Sequence, residues 1–158
     1  MATTIIPSNL IVSITESYSV NGVSYGNTMT QTFLNNSKVS QRVMSIAGKG
    51  AESTIFTDIL ELGTLDSQGQ VVKDDYKYFR ITNLDTVDTL NLRIYNGTEY
   101  FAFEVAPASS FLLMDAGTDS PATATTVISF SDITKIAGQS NNTAASTSID
   151  VEFVMVTA

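Results

Sequence analysis

Apolar and polar residues alternate along most of this chain, the period-2 signature of strands that bury one face. The clearest case is LIVSITESYSV-NG-VSYGNTMTQTF, two alternating runs around Asn21-Gly22. That pair is favoured in type I′ hairpin turns, where both central residues need positive φ. A two-residue turn there sets Val20 opposite Val23, Tyr18 opposite Tyr25, Ile14 opposite Met29 and Leu10 opposite Phe33. This apolar side is interrupted by Glu16, Asn27 and Gln31. The other side is almost wholly hydroxyl, Ser13, Thr15, Ser17 and Ser19 against Ser24, Thr28, Thr30 and Thr32, as expected of a sheet with one wet face.

LNLRIYNGTEYFAFEV repeats the pattern around Asn96-Gly97. A turn at that pair sets Leu92 opposite Phe101 and Leu90 opposite Phe103 on a core face shared with Ile94 and Val105. The opposite face sets Arg93 against Tyr100, beside Asn91, Tyr95, Thr98 and Glu104. Between the hairpins, KVSQRVMSIA and STIFTDILEL read as strands, and Asp66 to Gln70 as a turn-rich loop. In YKYFRITN, Phe79 and Ile81 should point inward while Tyr78 and Arg80 point out. SFLLMD suits a strand covered on both faces, TVISFSDITKI reads as a strand, and SIDVEFVMV places Ile149, Val151, Phe153 and Met155 on one face. Asp115 to Ala124 and the low-complexity Ala137 to Ser146 read as loops. No segment sustains a 3.6-residue apolar period; Ser53 to Leu62 is the best helix candidate. About eight to ten short strands with regular turn signals predict an all-β fold, an antiparallel β-sandwich or jelly-roll-like domain with little helix. Residues 1–9 form either an extended N-terminal arm or an edge strand, and residues 10–158 the single sandwich domain.

Composition narrows the functions. At 158 residues, 43% apolar and 15% charged, the chain can bury one core and is too hydrophobic to stay disordered. Its net charge of −8 lacks the basic footprint of phosphate neutralisation, so nucleic acid is not an expected partner. Zero Cys and zero His remove disulfides, thiolate chemistry, most zinc sites and the commonest general base. No run approaches the roughly 20 apolar residues of a membrane span, and the first residues lack a basic export signal, so synthesis in a cytoplasm without membrane association is expected.

Candidate chemistry is sparse. IAGKGAEST resembles a phosphate-binding loop only briefly, because Lys49 is followed by Gly50 where Ser or Thr is needed and strands flank it. The carboxylates Asp74-Asp75, Asp85 with Asp88, and Asp115 with Asp119 lack calcium-loop spacing, and the chain has no Trp on which a sugar could stack. They read as solvated loop acids, a weak cation site being the alternative. Three Asn-x-Ser/Thr triplets, beginning at Asn35, Asn96 and Asn141, are what an Asn- and Thr-rich chain generates by chance. No cofactor is expected. The remaining set is Tyr78, Arg80, Arg93, Tyr95 and Tyr100. Tyr and Arg are enriched at protein interfaces, and sheets also favour Tyr for its own sake. If the strands share a sheet, the five make one patch.

The run YFRITNLDTVDTLNLRIYNGTEYFAFEVAPASSFLLMD combines a strand ending in Thr-Asn, a paired strand, a hairpin and a small-residue turn into an apolar strand. It resembles small β-sandwich accessory proteins of tailed-bacteriophage virions, over about a quarter of the chain, Tyr78 to Asp115. The Cys-free, His-free, Ser/Thr/Asn-rich acidic composition is similar to theirs too. The resemblance implies a capsid decoration or cement protein on the virion surface, often a homotrimer, that braces neighbouring major capsid protein subunits without catalysis. It carries over no functional residues. Ala2 to Asn9, with Ile5, Ile6 and Pro7, is the candidate anchoring arm. The alternative is a tail or fibre component that binds glycan through the loops at Asp115–Ala124 and Ala137–Ser146.

Overall fold

Eleven strands and no helix form among the described residues of the computed structural model, which are 8–49, 55–63, 71–72, 76–114, 133–144 and 147–157. In chain order they are β1 (Ser8–Val20), β2 (Val23–Asn36), β3 (Lys38–Ala47), β4 (Thr57–Gly63), β5 (Val71–Val72), β6 (Tyr76–Asn83), β7 (Leu90–Asn96), β8 (Glu99–Val105), β9 (Ser110–Met114), β10 (Lys135–Ser140) and β11 (Ser148–Thr157). Two sheets face one another as a sandwich, a five-stranded one in the order β5-β4-β10-β7-β8 and a four-stranded one in the order β3-β11-β6-β9. All pairings between strands are antiparallel except the short β4–β5 contact. The inner faces supply the core: Phe79, Ile81, Ile149, Val151, Phe153 and Met155 from one sheet meet Leu60, Leu62, Leu90, Leu92, Ile94 and Ile136 from the other. Alternation in β6 and β11 is therefore read correctly, with Phe79 and Ile81 fully buried.

β1 and β2 form a separate two-stranded sheet, and the register is the one that the Asn21-Gly22 turn dictates. Both turn residues have positive φ, 53° and 79°. What differs is coverage. Among the described residues, only the base of the hairpin is covered, where Phe33, Leu10 and Val12 pack on Tyr78, Val154, Val156 and Met114 of the four-stranded sheet's outer face. Farther out, neither face is covered: Ile14 is half-buried, and Tyr18, Val20, Val23, Tyr25 and Met29 are exposed. The apolar side that should be a core face is thus mostly the surface of a projecting arm.

The second hairpin keeps its faces and shifts its register. Leu92 lies opposite Phe103, Leu90 opposite Val105, and Tyr95 opposite Tyr100, a slip of two residues from the expected pairing. The turn is Gly97-Thr98, with positive φ only at Gly97, the arrangement of a type II′ turn rather than the type I′ turn that Asn96-Gly97 would make. A two-residue slip preserves the parity of the pleat, so Leu90, Leu92, Ile94 and Val105 enter the core, but Phe101 and Phe103, expected on that core face, are exposed at 46% and 39% because β8 is the edge strand of its sheet.

Residues 57–63 are strand, as STIFTDILEL reads, and the helix candidate over Ser53 to Leu62 is not helical there: the register skips Ile59 between Leu60 and Asp58, and this bulge turns both Ile59 and Leu60 inward, producing the helix-like spacing. Two further expectations need correction. Ala137–Ser140 belong to β10, the central strand of the five-stranded sheet, not to a loop. Their small side chains carry no hydrophobic signal because space is short; a Cβ on Gly138 would come within 2.9 Å of Ile59 Cδ1 and 3.0 Å of Leu90 Cδ1. β9 is an edge strand, with Phe111 and Leu113 packed on the core, Met114 under the arm and Leu112 exposed. The expected loops at Asp66–Gln70 and Asp115–Ala124, most of TVISFSDITKI, and Ile5, Ile6 and Pro7 lie outside the described residues.

One buried amide ties the sheets together at the β6–β7 crossing. Asn83, wholly inaccessible, donates through Nδ2 to the carbonyls of Asp88, Val105 and Ala106 at 2.8, 3.2 and 3.3 Å, and its Oδ1 accepts the Asp85 N–H at 3.1 Å. Asp85 then caps the turn, accepting the N–H groups of Val87 and Asp88, both at 2.7 Å, and these bonds hold its carboxyl below the usual carboxylate range. Asn142 Nδ2 donates to Asp88 Oδ2 at 2.8 Å, joining the β10–β11 connection to the same corner.

Candidate functional site

The outer face of the five-stranded sheet gathers the aromatic and basic side chains. Alternation in β7 sends Arg93 and Tyr95 outward; the β7–β8 register brings Tyr100 beside them, and β10 adds Lys135 opposite Tyr95. Phe56, from the segment entering β4, completes the cluster. The Arg93 guanidinium carbon lies 3.8 Å from the Phe56 ring centroid and 4.2 Å from that of Tyr100. Tyr95 and Tyr100 pack at 5.4 Å, and Lys135 Nζ sits 4.8 Å from the Tyr95 centroid while pairing with Asp58 at 3.1 Å. Gln139 donates to the Ile55 carbonyl, which ties the Ile55–Phe56 segment to β10.

Among the described residues Arg93 is held by rings and has no ion pair. Such contacts are worth about 0.5–2 kcal/mol each and fix the guanidinium while leaving its N–H donors to a ligand or partner. Beside it opens a groove of about 460 Å³ bordered by Lys49, Phe56, Asn91, Arg93, Ala102 and Glu104. Ala102, opposite Arg93 on β8, is the small residue beside that groove. The lining combines flat apolar rings with amide, carboxylate and cationic groups, a surface able to hold a polar chain, whether peptide or sugar.

Tyr78 and Arg80 do not join this patch, since β6 lies in the other sheet. Tyr78 points away from the main core as expected, yet the arm covers it, and Phe33 packs on its ring at 6.5 Å. Burial pushes its hydroxyl pKa up, with the Arg80 charge acting in the opposite sense. Arg80 is engaged in a row across three strands: its Nη2 donates to Glu152 Oε2 at 2.6 Å, and Gln41 Nε2 donates to Glu152 Oε1 at 2.7 Å. Arg93, Tyr95 and Tyr100 are brought together as the sequence suggests. Phe56 and Lys135 were missed, because their approach depends on the course of β10, whose second half carries no strand signal.

Among the described residues no three His, Cys, Asp or Glu side chains are grouped to hold a metal ion, and no helix is long and apolar enough to cross a membrane. In the triplets, Asn35 takes a positive φ of 60° and its neighbour Asn36 donates to the Ser8 and Phe33 carbonyls, while Asn141 Oδ1 accepts the Thr89 N–H. Compared with protein-family models, curated proteins and solved structures, the chain matches none.

Proposed function

We propose that this chain is a non-enzymatic structural protein of a tailed-phage virion, a capsid decoration or cement protein that braces neighbouring major capsid subunits. The observation that carries this reading is the β1–β2 arm: a long strand pair that, among the described residues, is anchored only at its base, with an apolar face that none of them covers. An isolated two-stranded hairpin is marginal in water, so such an arm makes physical sense as part of an assembly. In that role no cofactor, nucleic acid or membrane is needed; the protein acts at the virion surface as a homo-oligomer, a trimer being the favoured form, and small contacts gain strength by repetition. Mass spectrometry of purified particles, with cryo-electron microscopy to locate the chain, tests the reading. Presence on the shell and loss of shell stability without the protein are expected; its absence from particles overturns the proposal.

A second reading, a glycan-binding tail or fibre module, is favoured by one feature, the groove beside Phe56, Arg93 and Glu104. It needs the groove rather than the Ala137–Ser146 segment, since Ala137–Ser140 are interior strand. A glycan array probed with the wild type and Arg93→Ala separates the two; hits lost in the variant support the module, and no hits exclude it.

A further inference from the structure

We propose that the occupant of the arm's apolar face is the same face on the arm of another copy of this chain. The inference deepens the structural reading above, on which its biological meaning rests. The exposed face has two parts. At the tip, Tyr18 and Tyr25 stack at 5.4 Å with their rings 14° from parallel, and Val20 pairs with Val23 beyond them. Toward the base, past the polar Glu16–Asn27 pair, Met29 lies opposite Ile14. The accessibilities are 56% for Tyr18, 52% for Val20, 53% for Val23, 48% for Tyr25 and 54% for Met29.

Area supports a partner of the same kind. These five side chains present roughly 500 Å² per arm, so two arms face to face remove roughly 1,000 Å² from water, about the least a specific contact needs. One arm against a flat polar surface would bury much less apolar area. Charge points the same way. The whole chain carries 16 acidic and 8 basic residues, yet from Ser8 to Asn36 the only charged side chain is Glu16. Copies that repel one another elsewhere meet with least penalty along this segment, whose one carboxylate, Glu16, lies opposite the uncharged Asn27 between the tip patch and Met29. The opposite face carries hydroxyl pairs along its middle, Ser13 with Thr30 at 3.2 Å and Thr15 with Thr28 at 3.1 Å, with Ile11 and Leu34 exposed only toward its base, which leaves the tyrosine side as the one with more apolar area to bury at the tip. Face-to-face packing about a twofold or a threefold axis gives a closed oligomer and no open-ended fibre.

The test uses the full chain. Light scattering coupled to size exclusion is expected to give a multiple of 17.0 kDa for the wild type. Tyr18→Ser with Tyr25→Ser is expected to raise the dissociation constant at least about 30-fold, the effect of losing interface aromatics. To guard against mere unfolding of the arm, Val23→Cys provides a second measurement: the chain has no other cysteine, so mild oxidation should link two copies through this position in high yield. A wild type that stays monomeric at about 100 µM, well above typical interface affinities, overturns the proposal. So does an oligomer unchanged by the tyrosine substitutions, or one that resists the Val23→Cys crosslink. A monomeric chain still found on particles overturns arm pairing and leaves the virion reading intact; an arm-paired oligomer absent from particles does the reverse.

Discussion

Asn83 shows how much one buried amide decides. Its Nδ2 serves three carbonyls and its Oδ1 one N–H, all at a corner where solvent cannot substitute. Asn83→Ala should therefore cost about 2 kcal/mol, the penalty of orphaned buried polar groups, and lower Tm by roughly 4–8 °C in a chain of this size. Asn83→Asp should cost more, since it faces the carbonyls with a second acceptor; thermal denaturation of the two variants checks the order. Asp85 acts at the surface of the same corner. Its folded pKa is lowered, chiefly by the Asp88 N–H, so its contribution is fully present above the unfolded value of about 4 and is lost as pH falls through the folded one. Asp85→Asn keeps an acceptor that does not titrate, and a shallower decline of Tm between about pH 5 and pH 2 is expected. The sequence marks Thr82-Asn83 only as the end of a strand, and Asp85 with Asp88 as loop acids. Nothing in a one-dimensional pattern says that the amide would face two carbonyls from the far end of β8, Val105 and Ala106, as well as that of Asp88 close by.

Among elements, the hairpins divide according to how far local chemistry determines them. Asn21-Gly22 dictates its turn type and register; Asn96-Gly97-Thr98 allows two turns of equal parity, and packing of Phe103 against Phe111 at 4.9 Å accompanies the one adopted. Strands whose side chains alternate were legible, as β6 and β11 are. β10 was not, because a central strand closely packed between neighbours can be built of Ala, Gly, Gln and Ser, and β4 was ambiguous because a bulge imitates helical spacing. The cluster at Arg93 was half legible for the same reason, its β7 and β8 members alternating plainly and its β10 member not. The arm can be tested apart from the sandwich. A Cβ on Gly26 would meet the Glu16 carbonyl oxygen at 2.5 Å, backbone that cannot yield. Gly26→Val is expected to disrupt pairing near Ser17, with hydrogen exchange rising in β1 and β2 while β6 and β11 stay protected. At the arm's base, the raised Tyr78 pKa gives a pH signature of its own. The neutral phenol is the form that packs on Phe33, so its contribution is fully present below the unfolded value of about 10 and is lost as pH rises through the folded one. Tyr78→Phe removes the titrating group; exchange in β1 and β2 that accelerates above about pH 10 in the wild type should not do so in this variant.

For the whole molecule, charge and apolar area are distributed unequally, and this gives the assembly a predictable response to salt. The chain carries −8, and Glu16 is the lone charge between Ser8 and Asn36, so the bodies of two copies repel while their arms attract through surface that carries little charge. Screening shortens the reach of the first term, from about 30 Å at 0.01 M to about 10 Å at 0.1 M, and hardly touches the second. Self-association should therefore tighten by a few-fold as ionic strength rises over that range, measured by sedimentation equilibrium at fixed pH. A contact held by complementary charge, such as Arg93 and Lys135 of one copy on the acidic surface of another, would weaken over the same range. The sign of the salt dependence thus distinguishes arm-to-arm burial from docking through the aromatic and basic cluster. The same measurement on Arg93→Ala should keep the wild-type slope, because that side chain lies on the five-stranded sheet, away from the arm that packs on the other one.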